Sequence, residues 1–339
     1  MKPTDFSYYL TSFLTKYLPS ERGLCGNTID SYRDTFVLFL VFAKDKKGMS
    51  ANQLALSDIT KDMIVEYLDW VETERNCSTV TRNVRLAALH SFFHYLQYQN
   101  PDNLMVWQRI LAIPVKKTAK NSFNHLTLDG IKLILEMPDQ NTKTGKRDLA
   151  LLSLMYDTGA RVQEIIDLMP SNLRFDKPYT IKLFGKGKKT RIVPLMKPTV
   201  ALLRRYMEEQ GLLHPFANNY PLFCNKQKNR LTRAGVNYIL TKYANMARNK
   251  NTVLVPERLS CHCLRHSKAM HLLQAGVNLV YIRDILGHCS VQTTEIYAKA
   301  DSKQKRDAIE KAYTDTTPSG IPTWQQNEDL LAWLRNFNR

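Results

Sequence analysis

The chain has 339 residues, 44% of them hydrophobic, and 48 Lys and Arg against 31 Asp and Glu give it a formal net charge of +17. That length fits two domains with short appendages, and the apolar content is ordinary for a globular protein, which excludes bulk disorder. So large a cationic surplus repels itself; a polyanion such as DNA or RNA would relieve it, against the plainer reading of a merely soluble basic protein.

The first third reads as helical throughout. Phe6, Tyr9, Leu10, Phe13 and Tyr17 recur at helical spacing, and Pro19, Gly23 and Gly26 punctuate the end of that segment. Thr28 is placed to cap a second helix with Tyr32, Phe36, Phe39, Leu40 and Ala43 on its apolar face, ended by Gly48 after two lysines. Thr60 opens a third helix and Ser78 a fourth, which carries Arg82 and Arg85 on its first turns. The stretch from Pro114 to Asn121, with Lys116 and Lys117, is polar, cationic and aperiodic; it reads as a linker suited to a path across phosphates.

A second region starts near Leu126, with Thr127 as a helix cap and an apolar run from Asp148 to Met155 closed by Gly159. Tyr179–Phe184 and Thr190–Leu195 are rich in β-branched residues and flank Gly185-Lys186-Gly187-Lys188-Lys189, the pattern of a β-hairpin. The remainder is helical again, through a Lys/Arg-rich stretch at about 302–313 and a Pro/Gly linker to an amphipathic tail with Trp324, Leu330, Leu331, Trp333, Leu334 and Phe337. Six scattered cysteines, no signal peptide and no apolar run long enough for a bilayer lead to the expectation of a cytosolic protein with reduced thiols.

Chemistry gathers in a few fragments. Arg161 stands in Thr158-Gly159-Ala160-Arg161-Val162-Gln163-Glu164, and His262-Cys263-Leu264-Arg265-His266 precedes Leu286-Gly287-His288 and then Tyr297. His262 and Arg265 are three apart and share a helix face. Guanidinium groups match phosphate oxygens in a planar fork that lysine cannot imitate. A phenol with a pKa of about 10 needs proton removal and a cationic surround before it can attack. Plainer readings exist: Tyr297 as core filling, Arg161 as the ion-pair partner of Glu164, the lysine loop as a solvated one. Zinc is disfavoured, because Cys261, His262 and Cys263 are adjacent and no paired Cys-x-x-Cys occurs. The glycine-lysine turn lacks the spacing of a P-loop, so no nucleotide is expected.

These fragments, in this order, closely resemble the phage integrase family, the tyrosine recombinases, over about residues 28–300. The resemblance implies a mainly α fold with a small β-sheet or hairpin: a helical core-binding domain (1–114), a linker (115–125), a mixed α/β catalytic domain (126–313) and a tail helix (314–339) that docks in cis or in trans. It implies Tyr297 as nucleophile, Arg161 and Arg265 as phosphate clamp, and Lys186 as the acid for the leaving 5′ oxygen. His262 becomes the general acid/base, His288 a phosphate contact, and Glu164 an orienter of Arg161 or of a histidine. Arg82, Arg85, Lys116, Lys117, Lys188, Lys189 and Arg191 are expected on DNA, whereas His266 and His271 are read as structural.

The implied activity is site-specific recombination through a 3′-phosphotyrosine and a Holliday junction, without metal or other cofactor. The expected partners are double-stranded DNA with paired sites, a homotetramer assembled on it from monomers, and an accessory directionality factor. A bacterial mobile element in a cytoplasmic, nucleoid-associated setting comes first. A Xer-like resolvase comes second, with a type IB topoisomerase and a catalytically silent DNA-binding protein behind. Two departures stand out: Lys299 replaces the histidine many relatives carry after the tyrosine, and the segment beyond Tyr297 is long.

Overall fold

The computed structural model describes residues 4–118, 125–185, 189–288, 290–300 and 330–336, in two compact units, Met1–Asn121 and Ser122–Arg339. The N-terminal unit is all helix: α1 (Asp5–Ser12), α2 (Gly26–Lys47), α3 (Lys61–Thr73), α4 (Thr79–Gln99) and α5 (Leu104–Leu111). Thr60 and Ser78 cap α3 and α4 as expected, each accepting from the amide three residues on. The core is aromatic. Phe13 alone, just past the end of α1, packs against Tyr17, Tyr32, Phe36, Phe92 and Tyr95, which ties that segment to α2 and α4.

Two boundaries differ from expectation. Pro19 does not stop the first helix, which runs on from α1 as a π-helical segment, Phe13–Glu21, with the proline inside. The segment bonds five residues back instead of four, and Pro19, with no N–H, leaves one such bond unmade. Helix α2 begins at Gly26 with Cys25 as its cap residue, ahead of Thr28, whose amide bonds back to the Cys25 carbonyl.

In the second unit α6 (Leu128–Leu135), α7 (Lys143–Thr158) and α8 (Val162–Ile166) lead into a three-stranded antiparallel sheet. Its strands are β1 (Leu173–Arg174), β2 (Thr180–Phe184) and β3 (Thr190–Pro194). The expected hairpin is present: Leu183 pairs with Arg191 and Phe184 with Thr190, and the Gly185 amide donates to the Lys189 carbonyl at 2.8 Å. Helices α9 (Lys197–Glu209), α10 (Arg233–Lys250), α11 (Cys261–Gln274), α12 (Leu279–Leu286) and α13 (Gln292–Ala300) follow, and the tail contributes α14 (Leu330–Asn336).

One large apolar core joins α6–α10 to the sheet. A smaller one, Ala269, Met270, Leu273, Ile282, Leu286 and Tyr297, seats α12 and α13 on α11. The functional fragments lie where these two cores meet. Among the described residues no helix is long and apolar enough to cross a membrane.

Candidate functional site

Gly159 ends α7 in the left-handed conformation at φ +57, and a side-chain carbon there would sit 2.7 Å from Leu286 Cδ2. The chain therefore turns hard against the end of α12 and delivers Arg161 to the N-cap of α8. Glu164, three residues on, reaches back: Oε2 accepts from the Arg161 amide at 2.8 Å, and Oε1 accepts from Arg161 Nη1 at 3.0 Å. Burial of Glu164 would raise its pKa, but hydrogen bonds and charge from Arg191, with Arg161 behind, outweigh it and hold the carboxyl below the ordinary range. The Arg161 side chain keeps 37% exposure while that of Glu164 keeps 3%. Nη1 is held by Glu164 and Nη2 donates to the Gly287 carbonyl at 3.2 Å, while more than a third of the side chain stays open to solvent.

Ser260 occupies the N-cap of α11, and His262, Arg265 and His266 follow on its first turns. Arg265 is 1% exposed and donates to the Gly159 carbonyl at 2.8 Å and the Leu286 carbonyl at 2.7 Å. Burial first, then the charges of Arg161 and Arg191, lower its pKa to about 10, so it is still a cation at neutral pH. His262 has an exposed edge on a cavity of about 490 Å³ lined also by Arg248, Arg258 and His266. Partial desolvation and then the Arg265 and Arg161 charges lower its pKa.

Tyr297 projects from α13 into the smaller core and is 1% exposed. Its hydroxyl lies 2.9 Å from His266 Nδ1. The His266 ring meets His262 edge-on at 4.4 Å, and the His288 ring stacks on Tyr297 at 6.3 Å. His288 Nδ1 lies 2.9 Å from Thr294 Oγ1. Burial raises the Tyr297 pKa while Arg265 and Arg161 pull the other way. Both His266 and His288 are lowered to about 4: burial comes first for each, then His262 and Arg265 for His266, and Arg265 and Arg161 for His288. At neutral pH they are neutral imidazoles, able to accept from a hydroxyl.

The structure thus gathers Arg161, Glu164, His262, Arg265, His288 and Tyr297 in one place. Lys186 and Lys188 lie outside the described residues. Their neighbour Gly185 stands at the site, since a side-chain carbon on it would be 3.4 Å from Glu164 Oε1 and 3.8 Å from Arg161 Nη1. Lys117 and Lys189 are exposed.

Four residues expected on DNA have other occupations here. Arg191 grips both oxygens of Glu164, at 2.8 and 2.7 Å, with its side chain 10% exposed, so it faces inward in the DNA-free chain. Arg82 is 4% exposed and bonds the Pro114 carbonyl; Arg85 bonds the Ser31 carbonyl and Thr35 Oγ1. Lys116 is paired with Glu72 and Asp69. His266, read as structural, contacts the candidate nucleophile directly. Its spacing held the signal, since a residue four after His262 shares that face of the helix.

Comparison with known proteins agrees with this geometry. The model of the phage integrase family matches residues 124–304, and that of the phage integrase N-terminal SAM-like domain matches residues 11–100. The chain is 36% identical to y4rC of Sinorhizobium fredii, named as an integrase/recombinase, over 99% of both chains. It is 32% identical to the tyrosine recombinase XerD of Listeria monocytogenes, over 87% of this chain and 95% of that one. The solved XerH site-specific recombinase, bound to palindromic difH substrate in a post-cleavage complex, superposes with a TM-score of 0.68 at 27% identity, covering 88% of this chain and 84% of that one. The Tn1549 transposon integrase on transposon right-end DNA shares the fold, with a TM-score of 0.68 at 16% identity. With more than half of its length matched, and with arginines, histidines and a tyrosine converging in the family's order, the chain belongs to the phage integrase family and is a site-specific DNA recombinase of the tyrosine type.

Proposed function

We propose that Tyr297 is the nucleophile that joins this protein to DNA. Its oxygen attacks the scissile phosphorus, forming a 3′-phosphotyrosine as the bond to the 5′ oxygen breaks. Lys186 protonates that leaving oxygen. The 5′ hydroxyl of the partner duplex then attacks the phosphotyrosine and releases Tyr297. Each step exchanges one phosphoester for another, so no nucleotide has to drive it.

Arg161 and Arg265 hold the non-bridging oxygens and stabilise the charge that grows on them. His288 adds a contact to the same phosphate, and Glu164 keeps Arg161 aimed. The phenol proton leaves toward the paired rings of His266 and His262, with His266 holding the hydroxyl in the DNA-free chain. The observation that carries this reading is that Tyr297 hydroxyl, set on a neutral imidazole beside the buried cation Arg265. At 1% exposure it must be uncovered as DNA engages.

Two strand exchanges through a Holliday junction require four protomers on paired sites, and the segment containing α14 is available to link neighbours around such a ring. We assign the protein to the integration and excision of a bacterial mobile element, with an accessory factor setting direction. The XerD relative favours a second reading, resolution of chromosome or plasmid multimers.

Tyr297→Phe tests the core of the proposal on a nicked suicide duplex, followed by a denaturing gel. The covalent adduct should vanish while specific DNA binding persists, because only the attacking oxygen is lost. An adduct that survives in the variant would assign the chemistry elsewhere.

A further inference from the structure

Arg191 rises from β3, next to the lysine loop, and its planar guanidinium makes three hydrogen bonds. Nη1 and Nη2 donate to the two oxygens of Glu164 at 2.8 and 2.7 Å, and Nε donates to the Ile285 carbonyl at 2.8 Å. That carbonyl begins a series. The carbonyls of Ile285, Leu286 and Gly287 are taken in order by Arg191, Arg265 and Arg161, at 2.8, 2.7 and 3.2 Å. The last carbonyls of a helix lack partners inside it and form its negative end. Here three guanidiniums, from β3, α11 and the start of α8, satisfy the end of α12 together.

The seat is closely fitted. Gly287 adopts φ +67, and a side-chain carbon on it would lie 3.0 Å from both Cδ and Nη1 of Arg191. Glu164 Oε1 is shared between Nη1 of Arg161 and Nη1 of Arg191. Without Arg191, a carboxylate only 5% exposed would be left with Arg161 as its partner. A buried charge in that position draws its remaining cation inward. The partly exposed Arg161 would then turn away from a bound phosphate.

We infer that Arg191 is a positioning residue for strand cleavage: it fixes Glu164 and the end of α12, and through them aims Arg161 without touching DNA itself. The inference rests on the reading of Arg161 as part of the phosphate clamp. Lysine cannot replace it, because a single ammonium lacks the planar fork that serves two carboxylate oxygens and a carbonyl at once.

The experiment compares Arg191→Met, Arg191→Lys and Arg161→Gln in the full-length protein, by single-turnover cleavage of two nicked suicide duplexes. One carries the native scissile phosphate; in the other a methylphosphonate has a methyl group in place of one non-bridging oxygen, which makes the linkage neutral. Arg191→Met should slow cleavage of the native duplex by about 10–100-fold, the usual cost of losing a partner that orients a functional group. DNA affinity should not change. On the methylphosphonate the defect should shrink, because a neutral centre asks less of the clamp; damage unrelated to charge would persist. Arg191→Lys should resemble Arg191→Met, and it carries the test if the methionine variant fails to fold. Wild-type cleavage by either folded Arg191 variant, with Arg161→Gln impaired, overturns the inference alone. So does an equal defect on both duplexes. Normal cleavage by Arg161→Gln would instead remove the clamp assignment, and the inference with it.

Discussion

Both units bury arginines, and they use them differently. In the N-terminal unit Arg82 and Arg85 reach single carbonyls and small polar groups, and the Nε of each is buried without a hydrogen-bond partner. They tie α4 to α2 and to the chain beyond α5. In the catalytic unit Arg265, Arg191 and Arg161 converge on Glu164 and on three successive carbonyls. Burial of an arginine is therefore no mark of a site. What separates Arg161 is that its guanidinium is held by a carboxylate below the surface and by the Gly287 carbonyl while 37% of the side chain stays exposed. Such a group is held in place and still available to a phosphate.

The sharpest way to break this contrast is Arg161→Gln. Losing one preorganised donor to a developing oxyanion costs about 10²–10³ in rate, so adduct formation on a suicide duplex should fall by that much. Thermal stability should move little, because Glu164 keeps both of its oxygens on Arg191. A variant that cleaves within a few-fold of the parent would show that this held and partly exposed guanidinium has no special standing.

Next in size is the response to acid, which should differ between the units. His266 and His288 have folded-state pKa values of about 4, depressed by burial first, against an ordinary 6.5. Above pH 6.5 they are neutral whether folded or not, and the folded state loses nothing. As the pH falls from 6.5 toward 4, the unfolded chain takes up protons that the folded site refuses, so stability drops across that window. Glu164, held low by its arginines, begins to matter only below the ordinary carboxylate range. His90 in the N-terminal unit is lowered too, so the difference is one of degree. Hydrogen exchange between pH 7 and 5 should show amides of α11 and α12 losing protection faster than those of α2 and α4. Equal loss in both units would mean that the histidine cluster is not a point of acid weakness.

How much of this was legible follows the range of the forces involved. Caps such as Thr60, Ser78 and Thr127, the left-handed stops at Gly48, Gly159 and Gly287, and the hairpin around the lysine loop are set by neighbours within a few residues. Sequence spacing displays them. Arg191 is another matter, because its Ile285 partner is 94 residues away, and nothing local says whether a basic residue in a hairpin faces DNA or turns inward. Arg82 and Arg85 belong with it: at the start of a helix they suit a phosphate, while in the DNA-free chain they bond the Pro114 carbonyl and the Ser31 and Thr35 oxygens. His266 lay between these cases. Its face on α11 was readable from spacing, but the arrival of Tyr297 on that face depends on α12 folding back.

The smallest expected effect belongs to Arg82→Met, and it tests the comparison from the other side. Each phosphate contact that is lost should lessen the dependence of log affinity on log salt by about 0.9 for duplex DNA. Arg82 is 4% exposed and bonded to the Pro114 carbonyl, so it has no free edge to offer. Methionine of similar length fills the same buried space but gives up the bonds to the Pro114 carbonyl and Asn83, so the folded variant is the one compared. The salt slope of Arg82→Met should therefore match that of the parent. Lys117→Ala, at an exposed position, supplies the contrast and should flatten the slope by about one contact. If the Arg82 variant flattened it instead, the guanidinium would have to leave its buried seat when DNA arrives. The distinction between arginines that hold the fold and arginines that hold the phosphate would then fail in the N-terminal unit.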